Sequence, residues 1–448
     1  MRTAVQGSAT AGRKGFRRHR AATLTATALA ASLVLTACGS GGPGDEDGKA
    51  GGELEVWVYQ DASTKVQEAV VKRFNEKSDV KAKLVPVPGE SYQDKMRSAM
   101  GTPNAPDIFF NWGGGSISNF VEKDMLVDLT PELEKDTAFK ESFIPAILDE
   151  GKVNDKYYGI PMRGMQPVML FYNKNVFEKA DAQPPKTWDD VLKLVDTFKE
   201  EGVTPFALAG TDAWTELMWV EYLLDRIGGA EVFNKIRSGD SEAWGDPAVL
   251  KTAETIRDLV DKGAFGNNFQ SVNYTSDGAP TLFAKGKAAM HLMGSWEYSN
   301  QQSNQPEFAE NGLGWTTFPP LPDGKGDPKN VVGNPTNYWS VNSKLKGEQR
   351  EAAIEFLKTA ADEAYVTDLV ENGEVPATSD AQDKLAKHPA PEFAGDVYDL
   401  ALNAPSYTLS WDQALPAQQA TPMLTNIQKL FNKQLSPEEF VEAMKAVK

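Results

Sequence analysis

Alternating and helically spaced apolar residues predict a regular succession of strands and helices after residue 52. Glu53 to Val58 alternate with period two, as in a strand, and Val66, Val70 and Phe74 have helical spacing. The predicted elements are a strand at 53–58, a helix ending near 77, a strand at 80–87, a helix through 92–100 and a strand at 107–110. Such a β-α-β-α-β series indicates a parallel sheet covered by helices, with ligands at the carboxyl ends of the strands. The loops 59–63 and 111–116 hold that position.

The rest of the chain continues the alternation of strands and helices. Strands are predicted at 157–161, 168–172, 287–293 and 331–341, and helices at 187–202, 246–263, 348–361 and from 436 onward. Thr187 with Asp190 and Ser436 with Glu439 have the spacing of helix-capping boxes. The fold class is therefore α/β. About 400 residues exceed what one core usually supports, which predicts two lobes.

The first 51 residues follow another pattern, with a basic stretch, an uncharged stretch and then a Gly-rich acidic one. Ala21 to Ala37 carry no charge and are too short for a comfortable membrane span. Leu35-Thr36-Ala37-Cys38 resembles a bacterial lipobox, which implies cleavage before Cys38 and lipidation of that cysteine. We predict a lipoprotein signal peptide at 1–37, a flexible tether at 38–51 and a domain anchored at the extracellular face of the cell membrane. The alternative is an ordinary signal peptide that contains a free cysteine.

Charge and rare residue types exclude several classes of protein. The chain has 46 Lys and Arg against 63 Asp and Glu, and six of the basic residues precede Cys38. An acidic surface is unsuited to nucleic acid or anionic lipid, so membrane contact is expected through the lipid anchor only. Cys38 is the only cysteine, and the histidines are His19, His291 and His388. These numbers leave little room for a zinc site, and we predict no metal and no cofactor.

Several segments, taken in order, resemble the extracellular solute-binding proteins of ABC transporters, in the sugar-binding branch related to maltose-binding protein. The segments are VWVYQDAS, PDIFFNWGGG, YYGIPM, FYNKNVFEKADAQPPKTWDDVL, KGKAAMHLMGSWEY and ENGEVPAT. The resemblance implies a two-lobed, type II periplasmic-binding-protein-like fold, in which each lobe is a mainly parallel sheet flanked by helices and the ligand lies between the lobes. It implies an N-terminal lobe of 52–161 and 288–332 and a C-terminal lobe of 162–287 and 333–448. It also implies a monomer that delivers its ligand to the permease subunits of an importer.

Tryptophans in polar loops are the candidates for contact with a sugar ring. A pyranose has an apolar face that matches a flat aromatic ring and a belt of hydroxyls that matches charged or amide side chains. Trp112, Trp214, Trp296 and Trp411 have polar or Gly-rich neighbours. Trp296 matches the Gly-x-Trp position of the family, and the family also has an aromatic residue at the place of Trp411. The resemblance therefore implies that both rings stack on sugar.

Polar side chains near these rings complete the candidate site. The residues expected to contact the ligand are Tyr59, Gln60, Asp61, Asn111, Trp112, Arg163, Trp214, Glu216, Trp296, Asn337, Trp411, Asp412 and Gln413. Some of them have a plain structural alternative: Asp412 as a helix cap, Trp411 as a packing residue and Arg163 as a surface charge.

Two other functions remain open from the sequence alone. An exported glycoside hydrolase would use a similar aromatic cleft with two carboxylates about 5–10 Å apart, which sequence spacing cannot exclude. A receptor for a polyamine, iron or glycerol phosphate is the other alternative, although no Tyr/His cluster or basic loop is evident. The order of the segments favours a binding protein, not an enzyme. The segments FFNWGGG and SWDQALP resemble the branch that takes xylobiose and related short oligosaccharides, so xylobiose is the favoured ligand.

Overall fold

The computed structural model describes residues 52–275 and 277–447. The predicted signal peptide (1–37), the tether (38–51) and Cys38 lie outside the described residues. The strands within these ranges are β1 Leu54–Gln60, β2 Ala82–Pro88, β3 Ile108–Asn111, β4 Lys152–Val153, β5 Lys156–Tyr157, β6 Ile160–Pro161, β7 Gln166–Asn173, β8 Thr204–Ala207, β9 Ala288–Gly294, β10 Leu313–Thr316, β11 Val331–Asn334, β12 Tyr338–Val341 and β13 Tyr407–Leu409.

The helices of the same ranges cover the faces of these strands. They are α1 Thr64–Lys77, α2 Gly89–Ala99, α3 Ser118–Val121, α4 Thr130–Lys135, α5 Thr137–Glu141, α6 Pro145–Asp149, α7 Lys174–Lys179, α8 Trp188–Glu200, α9 Ala213–Gly228, α10 Ala230–Arg237, α11 Pro247–Asp261, α12 Ala279–Ala284, α13 Trp296–Asn304, α14 Pro306–Asn311, α15 Gly347–Lys358, α16 Glu363–Glu371, α17 Pro391–Asn403, α18 Trp411–Ala414, α19 Ala417–Phe431 and α20 Pro437–Lys445. Both predicted capping boxes are confirmed, at Thr187 with Asp190 and at Ser436 with Glu439.

The first sheet has the strand order β2-β1-β3-β12-β6. β1 is parallel to β2 and β3, which confirms the β-α-β-α-β series predicted at the start of the chain. β12 enters this sheet antiparallel to β3 and places Trp339 opposite Phe110. The carboxyl ends of β1 and β3 therefore lie side by side at one edge of the first sheet, with Tyr59 and Trp112 at that edge.

The second sheet has the order β13-β11-β7-β9-β8, and β10 also pairs with β7. It is mixed rather than mainly parallel, because β7 is antiparallel to β9, β10 and β11 while β8 is parallel to β9. The two-lobed α/β fold is as predicted. Each sheet has its own buried core, around Phe109, Phe110 and Trp339 in the first lobe and around Phe171 and Phe206 in the second.

The segments of the lobes differ from the predicted boundaries. Residues 288–332 were assigned to the N-terminal lobe, but β9 pairs with β7 and β8 in the second sheet. The predicted strand 331–341 is two strands in different sheets, β11 in the second and β12 in the first. Pro335, which cannot donate a ladder hydrogen bond, lies in the break between them. The first lobe thus contains 52–161 and 338–371, and the chain crosses between the lobes at 162–165, 335–337 and 372–376.

A glycine loop of the first lobe packs directly against α18 of the second. A Cβ on Gly115 would lie 2.6 Å from the carbonyl oxygen of Ala414, so only glycine permits this approach. Arg237 of the second lobe also pairs with Glu150 of the first at 3.1 Å. Two parts of the loop 111–116, predicted to border the ligand, therefore have different surroundings. Trp112 lies in an aromatic cluster, whereas Gly114 and Gly115 pack against the second lobe.

Candidate ligand-binding site

Two half-buried aromatic residues, Tyr59 and Trp112, form what we call the first-lobe ring set. They stand at the ends of β1 and β3, and their ring centroids are 5.9 Å apart. Beneath them, Tyr92 and Phe110 are almost fully buried, and the Tyr92 hydroxyl donates to the Phe110 carbonyl at 2.7 Å. Trp112 meets Phe110 edge-on at 4.8 Å. This packing fixes two rings at the carboxyl ends of two parallel strands, the edge at which the sequence predicts a ligand.

Three half-buried aromatic residues form the second-lobe ring set: Trp214, Tyr274 and Trp296. Trp214 lies 5.0 Å from Tyr274 and 6.2 Å from Trp296 between ring centroids. Trp214 and Trp296 were predicted to contact the ligand, and the structure brings them together. Tyr274 was missed, although it too is an aromatic residue in a polar stretch, Asn273-Tyr274-Thr275.

Gly294 explains how the Trp296 ring reaches this position. A Cβ on Gly294 would lie 1.9 Å from the ring of Trp296. The indole therefore folds back over the end of its own strand, β9, through space that any other residue would fill. This close approach gives the Gly-x-Trp spacing a physical reason.

The two ring sets are near neighbours although different lobes carry them. Burial, the Glu297 carboxylate and, as a weaker contribution, the Tyr59 phenol raise the pKa of Tyr274 well above its ordinary value. The last contribution requires Tyr59 and Tyr274 to lie close enough for their charges to interact. Tyr59 of the first lobe and Tyr274 of the second therefore lie within electrostatic range of each other, as expected for residues on the two sides of a cleft.

Arg163 lies beside the first-lobe ring set, where the chain first crosses between the lobes. It is 4% exposed, its guanidinium stands 4.9 Å above the Phe110 ring, and its Nη1 is paired with Asp61. Its Nη2 donates to Asp61 Oδ1 at 3.0 Å and to the Tyr59 carbonyl at 3.1 Å. Arg163 and Asp61, both predicted site residues, are therefore each other's principal partners. Gln60 is exposed beside them.

Glu374 joins the segments that meet at these crossings. Its carboxylate accepts from the Ser63 hydroxyl at 2.7 Å, from the Gly164 amide at 3.1 Å and from the Asn372 side chain at 2.9 Å. These donors belong to the loop after β1 and to two crossing segments. Glu374 thereby ties the first-lobe loop to the junction between the lobes.

Asn111 and Asn337 are buried and bonded to neighbouring strands and segments, and they do not line the candidate site. Asn111 is 4% exposed, donates to the Ser340 hydroxyl at 2.8 Å and accepts from the Gly113 amide at 2.9 Å. Asn337 is 2% exposed and accepts from the Gln166 side chain at 3.0 Å. Because both amides bond within the protein, the structure contradicts the expectation that they face the ligand.

Trp411 is in the core, which contradicts the predicted stacking on sugar. Its ring is 1% exposed, stacks on Phe233 at 4.4 Å with an interplanar angle of 9° and meets Trp244 at 5.7 Å. Its backbone amide and the Ser410 hydroxyl both donate to Glu221 Oε1, at 2.7 and 2.8 Å. The polar neighbours of Trp411 thus bond within the protein, Ser410 to Glu221 and Gln413 to Asp412, and the ring itself is covered by protein.

The remaining predicted residues have other surroundings. Glu216 is fully buried, burial raises its pKa to about 8, and neither carboxylate oxygen has a hydrogen-bond partner within the described chain. A neutral carboxyl is therefore expected at pH 7. Gln413 donates to Asp412 at 2.8 Å, and both lie on α18, where the glycine loop of the first lobe packs. Burial raises the pKa of Asp412. The contacts described above do not join Glu216, Asp412 or Gln413 to either ring set.

A surface cavity of about 470 Å³ lies on the second lobe, apart from both ring sets. Its lining includes Trp315, Lys329, Asp396 and Asn403. Trp315 is half-buried, and its indole N–H donates to Asp396 at 2.8 Å. Trp315 therefore resembles Trp296 in exposure and in hydrogen bonding, but it lies elsewhere.

Neither a metal site nor a membrane span was found in the part of the chain that the structure describes. No three His, Cys, Asp or Glu side chains of residues 52–275 and 277–447 are placed to hold a metal ion. No helix in the same ranges is long and apolar enough to cross a bilayer.

Comparison with known sequences shows which protein family the chain belongs to. The sequence profile of the bacterial extracellular solute-binding proteins matches residues 58–367. The chain belongs to that family. The match extends from the first strand to α16 and so includes both lobes and both ring sets. The proteins matched are binding proteins and not enzymes, in agreement with the prediction.

Individual relatives are similar over large parts of the chain. An uncharacterised ABC transporter extracellular-binding protein of Pyrococcus horikoshii is 29% identical over 292 residues, which are 62% of this chain and 65% of the relative. The diacetylchitobiose-binding protein DasA of Streptomyces coelicolor is 27% identical over 378 residues, or 81% of this chain and 84% of that one. A structure from a study of xylan utilisation by Caldanaerobius polysaccharolyticus is 27% identical with a TM-score of 0.79, covering 88% of this chain and 99% of the other. The chain spans less than two thirds of the length of the Pyrococcus relative.

Proposed function

We propose that this protein captures a neutral oligosaccharide between the first-lobe and second-lobe ring sets. One observation carries the proposal: Tyr59 of the first-lobe ring set and Tyr274 of the second lie within electrostatic range of each other, and Asp61, paired with the buried Arg163, lies beside the first set. Aromatic faces match the apolar faces of pyranose rings, and charged side chains match their hydroxyls. Rings on both walls suit a ligand of two or more sugar units, which binds the closed arrangement better than the open one.

The favoured ligand is a short oligosaccharide such as xylobiose. Two relatives support this class of ligand, since one is named for diacetylchitobiose and the other comes from a study of xylan utilisation. A thermal-shift screen of residues 52–448 against xylobiose, diacetylchitobiose, maltose and raffinose tests the choice. A ligand at 100 times its Kd stabilises the folded state by about 2.7 kcal/mol. Stabilisation by a polyamine or glycerol phosphate, and by no sugar, would contradict the proposal.

Recovery of the sugar separates a receptor from a hydrolase. A receptor returns the bound oligosaccharide unchanged after hours of incubation. Cleavage that disappears when one cleft carboxylate is replaced would instead favour the glycoside hydrolase.

We propose further that Cys38 carries a lipid and holds the domain at the extracellular face of the membrane, where it delivers sugar to permease subunits of an importer. The lipobox-like segment and the acidic composition support this arrangement, because the folded domain has little attraction for anionic lipid.

The anchor proposal predicts a change of fractionation. Cys38→Ser should release the protein to the medium or leave its signal peptide uncut. The measurement is the distribution of protein between membrane and medium, with Ser40→Ala as the control. A Cys38→Ser protein that is cut at the same bond and stays on the membrane would rule out lipidation as the anchor.

A further inference from the structure

The indole of Trp296 is fixed by a hydrogen bond inside the second-lobe ring set. Its Nε1–H donates to the Tyr274 hydroxyl oxygen at 2.9 Å, and the Tyr274 hydroxyl donates to Glu297 Oε2 at 2.7 Å. The ring N–H, which could otherwise bond a ligand hydroxyl, is thus committed within the protein. Trp296 can therefore present the face of its ring to a ligand, while the polar edge is held from behind.

The Glu297 carboxylate, which accepts a hydrogen bond from the Tyr274 hydroxyl, has hydrogen-bond donors on both of its oxygens. Glu297 is 0% exposed and accepts from Gln301 Nε2 at 2.6 Å and from Asn300 Nδ2 at 3.4 Å. His291 Nδ1 lies 3.6 Å from Oε1. Burial raises the pKa of Glu297, but His291, Gln301 and Tyr274 outweigh burial and hold that pKa below its ordinary value. The acceptor that orients Tyr274 is therefore a fixed, ionised carboxylate.

The third ring belongs to the same bonded unit. The Tyr274 backbone amide donates to Asp212 Oδ2 at 2.7 Å, and Asp212 directly precedes α9, whose second residue is Trp214. Asp212 thus fixes the position of Tyr274 relative to Trp214, and Glu297 fixes its direction relative to Trp296. The three rings lie on three separate stretches of chain, and side-chain hydrogen bonds set their mutual arrangement.

From this geometry we infer that Glu297 is a positioning residue for ligand binding: it orients Tyr274, and Tyr274 orients the Trp296 face. The inference rests on the proposed function of the ring sets. Glu297 itself contacts no ligand, because it is fully buried. The Tyr274 oxygen has two lone pairs, and Trp296 occupies one. The other can accept a hydroxyl, so the unit offers an apolar face with one acceptor at its rim, which suits a neutral pyranose better than an anion.

The test is a two-dimensional proton–nitrogen spectrum of the indole groups in the ligand-free domain. Trp296→Phe identifies the Trp296 signal among those of the tryptophans. Tyr274→Phe removes the acceptor of the indole N–H, and Glu297→Gln keeps the size of the side chain but places an amide N–H where two donors converge. Both variants should move the Trp296 indole signal upfield and speed its exchange with solvent. Tyr172→Phe, a half-buried tyrosine of the same lobe, is the matched control and should leave the signal in place.

The affinity of the two variants for sugar is the second measurement. Both variants should weaken binding of the sugar found in the screen by about tenfold or more, since a misdirected ring and an unsatisfied buried group both lower affinity. An indole signal that stays in place in both Tyr274→Phe and Glu297→Gln would overturn the inference. If the signal moves but no sugar binds the parent protein, the positioning role stands and the proposed function fails. If the signal moves and affinity is unchanged, the ring is positioned by Glu297 but does not bind the ligand, and the inference is wrong.

Discussion

The chain contains two short stretches of similar sequence whose tryptophan rings are buried to different extents. Ser295-Trp296-Glu297 and Ser410-Trp411-Asp412 each follow a strand of the second sheet and open a helix, α13 or α18. Trp296 stands half-buried in the second-lobe ring set, whereas Trp411 is 1% exposed and stacked on Phe233. The local sequence thus places a tryptophan at the start of a helix in both stretches. The surrounding structure decides whether the ring is half-buried in a ring set or fully buried in the core.

Two neighbours account for the difference. Gly294 precedes the first stretch and leaves room for the indole to fold back over the strand, while Leu409 precedes the second. β9 lies inside the sheet between β7 and β8, whereas β13 is an edge strand at which Phe233 and Trp244 pack over the ring. A glycine immediately before Ser-Trp is therefore the useful local sign of a ring that faces a cleft.

A buried glutamate accompanies each stretch, Glu297 within the first and Glu221 of α9 bonded to the second, and the two carboxyls differ. Glu297 has side-chain donors on both oxygens and a pKa below the ordinary value. Glu221 accepts from Ser410 and Trp411 on one oxygen only, and burial raises its pKa to about 8. The cleft stretch therefore rests on an ionised carboxylate and the core stretch on a neutral carboxyl at pH 7.

The largest expected effect is on stability, in Trp411→Ala. Removing a fully buried, stacked indole should lower the free energy of unfolding by about 3–5 kcal/mol. Sugar affinity of the folded variant should stay within about twofold, because the ring touches no proposed ligand. Urea denaturation and a binding titration measure the two quantities. A large loss of affinity with unchanged stability would return Trp411 to the site.

The next effect is on binding, in Trp296→Ala. Loss of this ring should cost on the order of 2–4 kcal/mol of binding free energy, as for an aromatic hot spot, with a smaller effect on unfolding. Trp315→Ala is the matched control, since it removes an equally half-buried indole whose N–H is also bonded. Calorimetric titration of both variants decides the matter. If Trp296→Ala and Trp315→Ala bound the sugar equally well, the sugar would not bind at the second-lobe ring set.

The smallest effect, counted per pH unit, is a change in the slope of unfolding free energy against pH in Glu221→Gln. The folded pKa of about 8 lies above the ordinary 4.5, so the folded protein retains a proton that the unfolded chain releases above about pH 4.5. The stabilisation is complete below that pH and is lost as pH rises to about 8. Glu221→Gln should flatten the fall of unfolding free energy between pH 5 and 8 by up to about 1.4 kcal/mol per pH unit.

Glu297→Gln is the control for that pH series. Its folded pKa is lowered, so Glu297 contributes stability that is lost as pH falls, and the variant should change only the acid side of the curve. A slope between pH 5 and 8 that is the same in the parent and in Glu221→Gln would show that Glu221 is ionised in the folded protein.

The sequence predicted those parts of the site that depend on local rules. Tyr59 and Trp112 lie together as predicted, because parallel strands end at a common edge. Trp296 was chosen because its motif resembles the family, and the contact of all three rings with a ligand stays a prediction. Tyr274 was missed because its loop meets the ring set only through contacts far along the chain. Trp411 was misplaced because its polar neighbours Ser410 and Gln413 bond to Glu221 and Asp412 within the protein instead of facing solvent.

The lobe boundaries show the same limit. β11 and β12 were predicted as one strand at 331–341, and only pairing with distant strands reveals that they lie in different sheets. The periodicity of a run predicts that it is a strand, but it contains no information about which sheet receives it. Pro335 was the available sign of a break.

The antiparallel strand β12 in the first sheet has a consequence for how the protein is made. β12 separates β3 from β6, and Asn111 bonds to Ser340 across 229 residues of chain. A polypeptide that is synthesised and exported from its N-terminus therefore has no complete first sheet until residue 341 has emerged. Long-range pairing of this kind is slow, because the intervening loop must be ordered before the contact forms. The first lobe is thus expected to complete its fold late, after most of the sequence of the second lobe has been synthesised.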